Sequence, residues 1–252
     1  MSRNIRIDLD FIGRGFKGWQ KQSKGPTVQQ ELEKALSIIL RESVKVTGAS
    51  RTDAGVNARG MTANFRTSSR MDLGRLCKGL NGILPDAIEV TDAVEVDNDW
   101  HARKSAVYRE YEYLIWNKPY ADVFRKDWVC HMPKPLDVGA MRKAAEWVVG
   151  KHDFTAFCVA TSASKGCVRT VEFAEISEPE PGMIRFVIRA DGFVHKMVRS
   201  IVGTLLDIGQ GKKDVSALKE ALDTGNRQLA GKTAPANGLT LIDIGYETKN
   251  GS

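Results

Sequence analysis

The chain has 252 residues, 42% of them hydrophobic and 27% charged, enough to bury one large core or two small ones, and this excludes disorder as its resting state. No apolar run approaches the roughly 20 residues of a membrane-spanning helix, and Met1 to Asp10 carries no signal-peptide segment, so a cytosolic protein is expected. A formal net charge of +6 favours a polyanionic partner, and its distribution is uneven: Met1 to Leu84 holds 15 Lys and Arg against 7 Asp and Glu, whereas Pro85 to Asp99 holds six acids and no base.

Ile5 to Ile12 alternates apolar and polar residues and predicts a first strand. A glycine-rich basic stretch, Gly13 to Pro26, separates it from a helix opening at Thr27. There Thr27 and Gln30 fit a capping box, and Val28, Leu32, Ala35, Leu36, Ile39 and Leu40 share one face. Strands are expected at Val44–Thr47 and Met61–Phe65, a helix at Asp72–Leu80 and a strand at Ile88–Val96. The second half opens with a long strand, Val107–Trp116, followed by a proline-punctuated region and a helix at Asp137–Val149. Val168–Ile176 and Met183–Ala190 read as a hairpin joined by Glu178-Pro-Glu-Pro-Gly. An apolar helix at Val194–Ile208, a polar one at Val215–Leu222 and a strand at Leu239–Tyr246 complete the chain. This order predicts an α+β fold: two similar mixed α/β halves, residues 1–105 and 106–252, with antiparallel sheets fused side by side and a basic cleft between them. The four cysteines, Cys77, Cys130, Cys158 and Cys167, make no CxxC pair and read as reduced, buried thiols, with no metal site implied.

Gly13-Arg-Gly-Phe-Lys-Gly18 matches the GxGxxG pattern, but a dinucleotide site needs its helix to start within the motif, with its N-terminus on the pyrophosphate. Here the helix waits until Val28. Arg14, Lys17, Lys21 and Lys24, interleaved with Phe16 and Trp19 and free of acids, instead suggest a flexible loop that offers cations to phosphates and rings to bases. The alternative is a surface turn whose Trp19 packs on the core.

Between Ser43 and Met71 the only acid is Asp53, among Lys45, Arg51, Arg59, Arg66 and Arg70, a setting that favours the charged carboxylate. An acid is a liability on a surface that binds phosphates, unless it has another use; turn capping or a salt bridge is the plainer account. On the late apolar helix Arg199 stands among Val194, Met197, Val198, Ile201, Val202 and Leu205, so its guanidinium calls for an anionic partner. Asp191 and Asp207 are available as well as Asp53. His195, four residues earlier, is placed on the same helical face. Tyr111 alternates with Arg109, Tyr113 and Ile115 along its strand, a pattern that core packing would also produce.

Arg51-Thr-Asp-Ala-Gly-Val56 closely resembles the signature of the TruA family of tRNA pseudouridine synthases. Gly18-Trp-Gln20 with Thr27-Val-Gln29, His101-Ala-Arg-Lys-Ser-Ala106 leading to Tyr111-Glu-Tyr113, Asp153-Phe-Thr155, Phe193 to Gly203, and Ala236-Asn-Gly-Leu-Thr-Leu241 are similar to its other blocks, in family order over nearly the whole chain. The resemblance implies that Asp53 is the nucleophile or essential carboxylate, Arg199 its paired cation and Tyr111 the ring against the target base. It further implies a tRNA partner, nucleotides 38 to 40 of the anticodon stem-loop as the target, a homodimer and no cofactor. Arg51 is then placed to hold the displaced backbone or fill the gap left by a flipped base, with Arg14, Lys17, Lys21 and His195 as further substrate contacts. The chain departs from the family pattern at Ser50, Asn57 and Ser200, and its basic loop is about two residues longer than usual. Two competing classes remain: a non-catalytic tRNA-binding protein or chaperone on the same scaffold, and an Asp-based hydrolase or phosphotransferase. The second requires a metal-binding acid cluster, for which Asp8/Asp10 and Asp97/Asp99 are the close pairs.

Overall fold

Alternation of Ile5, Ile7 and Leu9 with Arg6, Asp8 and Asp10 sends the three aliphatic side chains fully inside and makes Arg3–Phe11 the strand β1. The computed structural model describes residues 2–158 and 166–247, in two compact units. One unit runs from the start of the chain to Val107 and takes in the end of the chain from Leu241; the other is Tyr108–Thr240.

In the first unit β1 is followed by α1 (Val28–Leu40), β2 (Thr47–Gly48), β3 (Asn57–Thr67), α2 (Leu73–Asn81) and β4 (Ile88–Val96). β1 lies between β3 and β4, antiparallel to both, with Ile7 opposite Ala63 on one side and Ala93 on the other. α1 buries Val28, Leu32, Ala35 and Leu36 and packs on α2, which in turn packs on β4. Both helices start where their caps predict: Thr27 accepts from Gln30 N, and Asp72 from Arg75 N. The expected strand at Val44–Thr47 is reduced to Thr47–Gly48. The cause is local. Val46 donates its N–H to Glu33 Oε1 and accepts from Gln29 Nε2, so α1 side chains satisfy backbone groups that a neighbouring strand would otherwise take.

The second unit contains β5 (Ala106–Trp116, from Tyr108), β6 (Cys130–His131), α3 (Val138–Glu146), β7 (Gly150–Asp153), a 3-10 turn at Thr155–Phe157, β8 (Val168–Glu180), β9 (Met183–Ala190), α4 (Met197–Gly209) and α5 (Ser216–Thr224). Its sheet runs β5-β9-β8-β7 with antiparallel ladders, and β6 adds a short parallel pairing to the end of β5. β8 extends four residues past the expected Ile176, and the turn narrows to Pro181-Gly182, with Gly182 at φ +89°. α4 begins at Met197 rather than Val194, because Lys196 sits in the left-handed region at φ +66° and ends any helical run there.

The last strand, β10 (Leu239–Tyr246), lies beside β3 in strand order. Its residues from Leu241 onward therefore belong with the first unit, whereas a division in chain order leaves them with the second half. The α+β class follows from these elements. No helix among the described residues is long and apolar enough to cross a membrane. All four cysteines are free thiols; Cys130, Cys158 and Cys167 are buried, Cys77 is half-buried, and Cys167 Sγ donates to Cys158 Sγ at 3.4 Å.

Candidate active site

Between β2 and β3 the chain reverses through a tight turn in which Val56 N donates to Asp53 O at 3.1 Å. Gly55, third in that turn, takes φ +79°, which a type II turn requires and glycine supplies without strain. Ala54 is exposed at the tip and Asp53 is half-buried beside it.

The turn is clamped from behind by the glycine-rich stretch. Trp19 N donates to Thr52 O at 3.2 Å, and Gly13 N donates to Asn57 Oδ1 at 2.9 Å. A Cβ on Gly13 would overlap the Val56 carbonyl, and one on Gly18 would lie 2.5 Å from Thr52 O. The first and last glycines of the GxGxxG pattern thus let two stretches of backbone touch. Thr52 is buried, and its hydroxyl has no hydrogen-bond partner.

This geometry corrects the picture of a flexible loop with rings for stacking. Lys17 N donates to Pro26 O, Val28 N to Gly18 O and Gln29 N to Trp19 O, so the stretch is tied down along its length. Trp19 is 1% exposed and packs on Phe11 with ring centroids 6.1 Å apart; Phe16 is also buried. The cations do face outward. Arg14, Lys17, Lys21 and Arg51 are exposed, and Lys21 forms an ion pair with Glu33 at 3.1 Å. Of the two acid pairs that a metal-dependent hydrolase could draw on, Asp8/Asp10 serves the sheet instead: Asp8 accepts from Thr62 Oγ1 at 2.7 Å and Asp10 from Gly60 N at 2.7 Å.

In the second unit Tyr111 is buried in β5 and meets Phe193 edge-on, with ring centroids 5.1 Å apart. Two residues on, Tyr113 is wholly buried and donates its hydroxyl to Pro235 O at 2.9 Å. Burial pushes its phenol far above the ordinary tyrosine range, so it serves as a hydrogen-bond donor. Arg199 is half-buried in the first turn of α4. Its Nε donates to Ala234 O at 2.8 Å, which orients the guanidinium, and its backbone carbonyl accepts from Ala234 N at 2.9 Å. Asp191, one of the acids available to it, uses Oδ1 to accept from Thr170 N. His195 does not sit a helical turn before Arg199. It is exposed and lies outside α4, on the far side of the left-handed Lys196.

Asp53 and Arg51 therefore belong to the first unit, and Tyr111, His195 and Arg199 to the second. The first unit also holds a cavity of about 450 Å³ into which Arg51 opens, with His101, Arg103 and Lys104 on its wall. The sequence reading gave these last three no role, although two adjacent cations directly after an acidic run were a visible signal.

A family model described as tRNA pseudouridine synthase matches residues 9–103 and 144–247, spans that include Asp53 and Arg199 and leave Tyr111 in the stretch between. A protein named tRNA pseudouridine synthase A from Brevibacillus brevis is 43% identical over 97% of this chain and 100% of its own. Its namesake from Acetivibrio thermocellus is 39% identical over 97% and 100%, and that from Shouchella clausii 44% identical over 98% and 94%. With both parts of the chain matched and relatives aligned from end to end, the chain belongs to the tRNA pseudouridine synthase family.

Proposed function

We propose that this protein isomerises uridine to pseudouridine in tRNA, with Asp53 as the essential carboxylate. The observation that carries the reading is the construction of the Asp53 turn: a half-buried acid on a type II turn, clamped from behind by Gly13, Gly18 and Asn57, in a segment otherwise populated by cations. Turn capping alone would not require so rigid a mount.

The reaction breaks the bond from C1′ to N1 and makes one from C1′ to C5, while C5 loses a proton and N1 gains one. Atoms and electrons balance within the nucleoside, so neither a redox group nor a nucleotide cofactor takes part. Asp53 attacks the sugar or the base, or removes a sugar proton; each route needs the ionised carboxylate. Arg199, held at its Nε by Ala234, is the cation proposed to keep it so, and Tyr111 the ring proposed to lie against uracil. Arg51, Arg14, Lys17 and Lys21 provide cations for the RNA backbone, and His195 is a further candidate contact. By resemblance the target is nucleotides 38 to 40 of the anticodon stem-loop, and the working form is a cytoplasmic homodimer.

The test is Asp53→Asn. It removes the charge while keeping the shape, so pseudouridine formation should fall at least about a hundredfold with tRNA affinity nearly unchanged. Carbodiimide-dependent primer-extension stops on unmodified tRNA transcripts report the first quantity and filter binding the second. Turnover above a few per cent of the parent would overturn the assignment.

A further inference from the structure

Between α5 and β10, residues 231–235 are neither helix nor strand, yet both ends of this segment are fixed. At the first end Gly231 meets Gly203 of α4 backbone to backbone: a Cβ on Gly203 would overlap Lys232 O, and one on Gly231 would overlap Gly203 O. Gly231 N donates to Thr204 Oγ1 at 2.8 Å, and that hydroxyl in turn donates to Ser200 O at 2.9 Å. At the other end Pro235 O accepts from the Tyr113 hydroxyl at 2.9 Å. Thr204 and Tyr113 are both wholly buried. Between the two ends stands Ala234, whose carbonyl takes Arg199 Nε and whose N–H meets the Arg199 carbonyl.

A buried tyrosine hydroxyl needs an acceptor, and many carbonyls would serve. The choice of Pro235 has a mechanical consequence. The peptide link from Ala234 C to Pro235 N is planar, and the proline ring fixes the next torsion. Only ψ of Pro235 is then left to turn one carbonyl relative to the other. Holding Pro235 O therefore holds Ala234 O, and Ala234 O is what orients the guanidinium of Arg199. Tyr113 also lies two residues from Tyr111 on the same face of β5. One strand thus carries the ring proposed to lie against uracil and the hydroxyl that sets the place of the proposed cation.

We infer that residues 231–235 act as a brace for Arg199, with Tyr113 and Thr204 as the positioning residues that secure its two ends. The inference rests on the reading of Arg199 as the cation that keeps Asp53 ionised, and extends it to residues with no part in the chemistry. Neither hydroxyl is exposed to a substrate, so losing one shows in kcat and in its pH dependence and leaves RNA affinity alone.

The experiment compares Tyr113→Phe and Thr204→Val with the parent and with Val171→Ala. Val171 is a buried residue of β8 paired with Gly150 and Ala190, and its truncation lowers stability away from the segment. Y113F and T204V should each lower kcat on a tRNA transcript about tenfold and hold KM within about twofold. The acid limb of kcat should move up by about half a pH unit or more, because a carboxylate whose cation is displaced binds its proton more readily. V171A should keep the parent's kcat and acid limb. In an Arg199→Lys background, which keeps the charge and loses the Nε bond, Y113F should lower kcat less than about twofold further, since both changes act through one contact. Nitrogen-15 spectra of labelled arginine read the brace without any turnover. The Arg199 Nε–H signal, identified by its loss in R199K, should shift or exchange faster with water in Y113F and T204V and stay in place in V171A. Should Y113F not fold, T204V carries the same test. Additive losses with R199K, an unmoved Nε–H signal, or the same changes in V171A overturn the brace. If the parent forms no pseudouridine, the reading of Asp53 falls, while the Nε–H signal still decides whether the segment holds Arg199.

Discussion

Gly13 and Gly15 lie two residues apart in a run that resembles a nucleotide motif, yet they answer to different constraints. A side chain on Gly13 would run into the backbone of Val56 and Gly55 within the Asp53 turn. One on Gly15 would meet nothing within 4 Å; only its φ of +88° resists substitution. In a dinucleotide fold the middle glycine would be the intolerant one, because the pyrophosphate passes over it. Gly13→Ala should therefore destabilise by about 1–3 kcal/mol through overpacking and reduce turnover more than tenfold, since relief comes from moving the Asp53 turn. Gly15→Ala should cost about 1–2 kcal/mol of backbone strain and leave turnover within about threefold. Urea unfolding and single-turnover assays separate the two, and equal loss of turnover in both would refute this account of the clamp. Asp53 stands out in the sequence as a lone acid among cations, a pattern that a turn cap fits as well, and its role comes from the family resemblance. The adjacent cations Arg103 and Lys104 are visible there too, but the buried Asn4 and Asn64 pair beneath them is not, being drawn from positions 60 residues apart.

Helix starts were the most legible elements, and for a local reason. Thr27, Asp72 and Asp137 each accept from the backbone N–H three residues on, at 3.3, 2.9 and 2.9 Å, a bond written into a four-residue window. Where an element depends on distant partners the sequence is silent. The start of α4 is set by Lys196 in a left-handed conformation that glycine or asparagine would have advertised and lysine does not. The segment before β2 is stopped from becoming a strand by Glu33, whose Oε1 accepts from both Val46 N and Gln29 Nε2 while Oε2 takes Lys21 Nζ. That arrangement is testable as a unit. Glu33→Ala leaves the Val46 N–H and one of the two Gln29 Nε2 protons without acceptors, each costing roughly 1–3 kcal/mol, so a loss of about 2–4 kcal/mol is expected. It should appear as a lower urea midpoint with an unchanged slope. A loss below about 1 kcal/mol would mean that residues 44–46 are held by something other than this side chain.

For the whole molecule, alternating strands and helices made the α+β class readable, but not the return of the chain. Strand neighbours are chosen by pairing across the full length, and β10 finds β3 from about 170 positions further along the chain. The consequence is that the first unit is completed by its most distant residues. Leu241 and Ile244 are buried, Tyr246 packs against Trp100 with ring centroids 5.0 Å apart, and its hydroxyl holds the Ala102 carbonyl. Ending the chain after Thr240 would strip the neighbour from one side of β3, leaving a row of backbone donors and acceptors without partners, and would release the turn that bears His101, Arg103 and Lys104. The second unit keeps its own β5-β9-β8-β7 ladders in this variant. Deuterium exchange should therefore show protection lost across Asn57–Thr67 and retained across Val168–Ala190, because opening is confined to the cooperative unit that lost its strand. Pseudouridine formation should vanish with it, since Asp53 stands four residues before β3 begins. Equal loss of protection in both regions would show that the two units unfold together, and retained protection in β3 would show that β10 contributes little to the first unit.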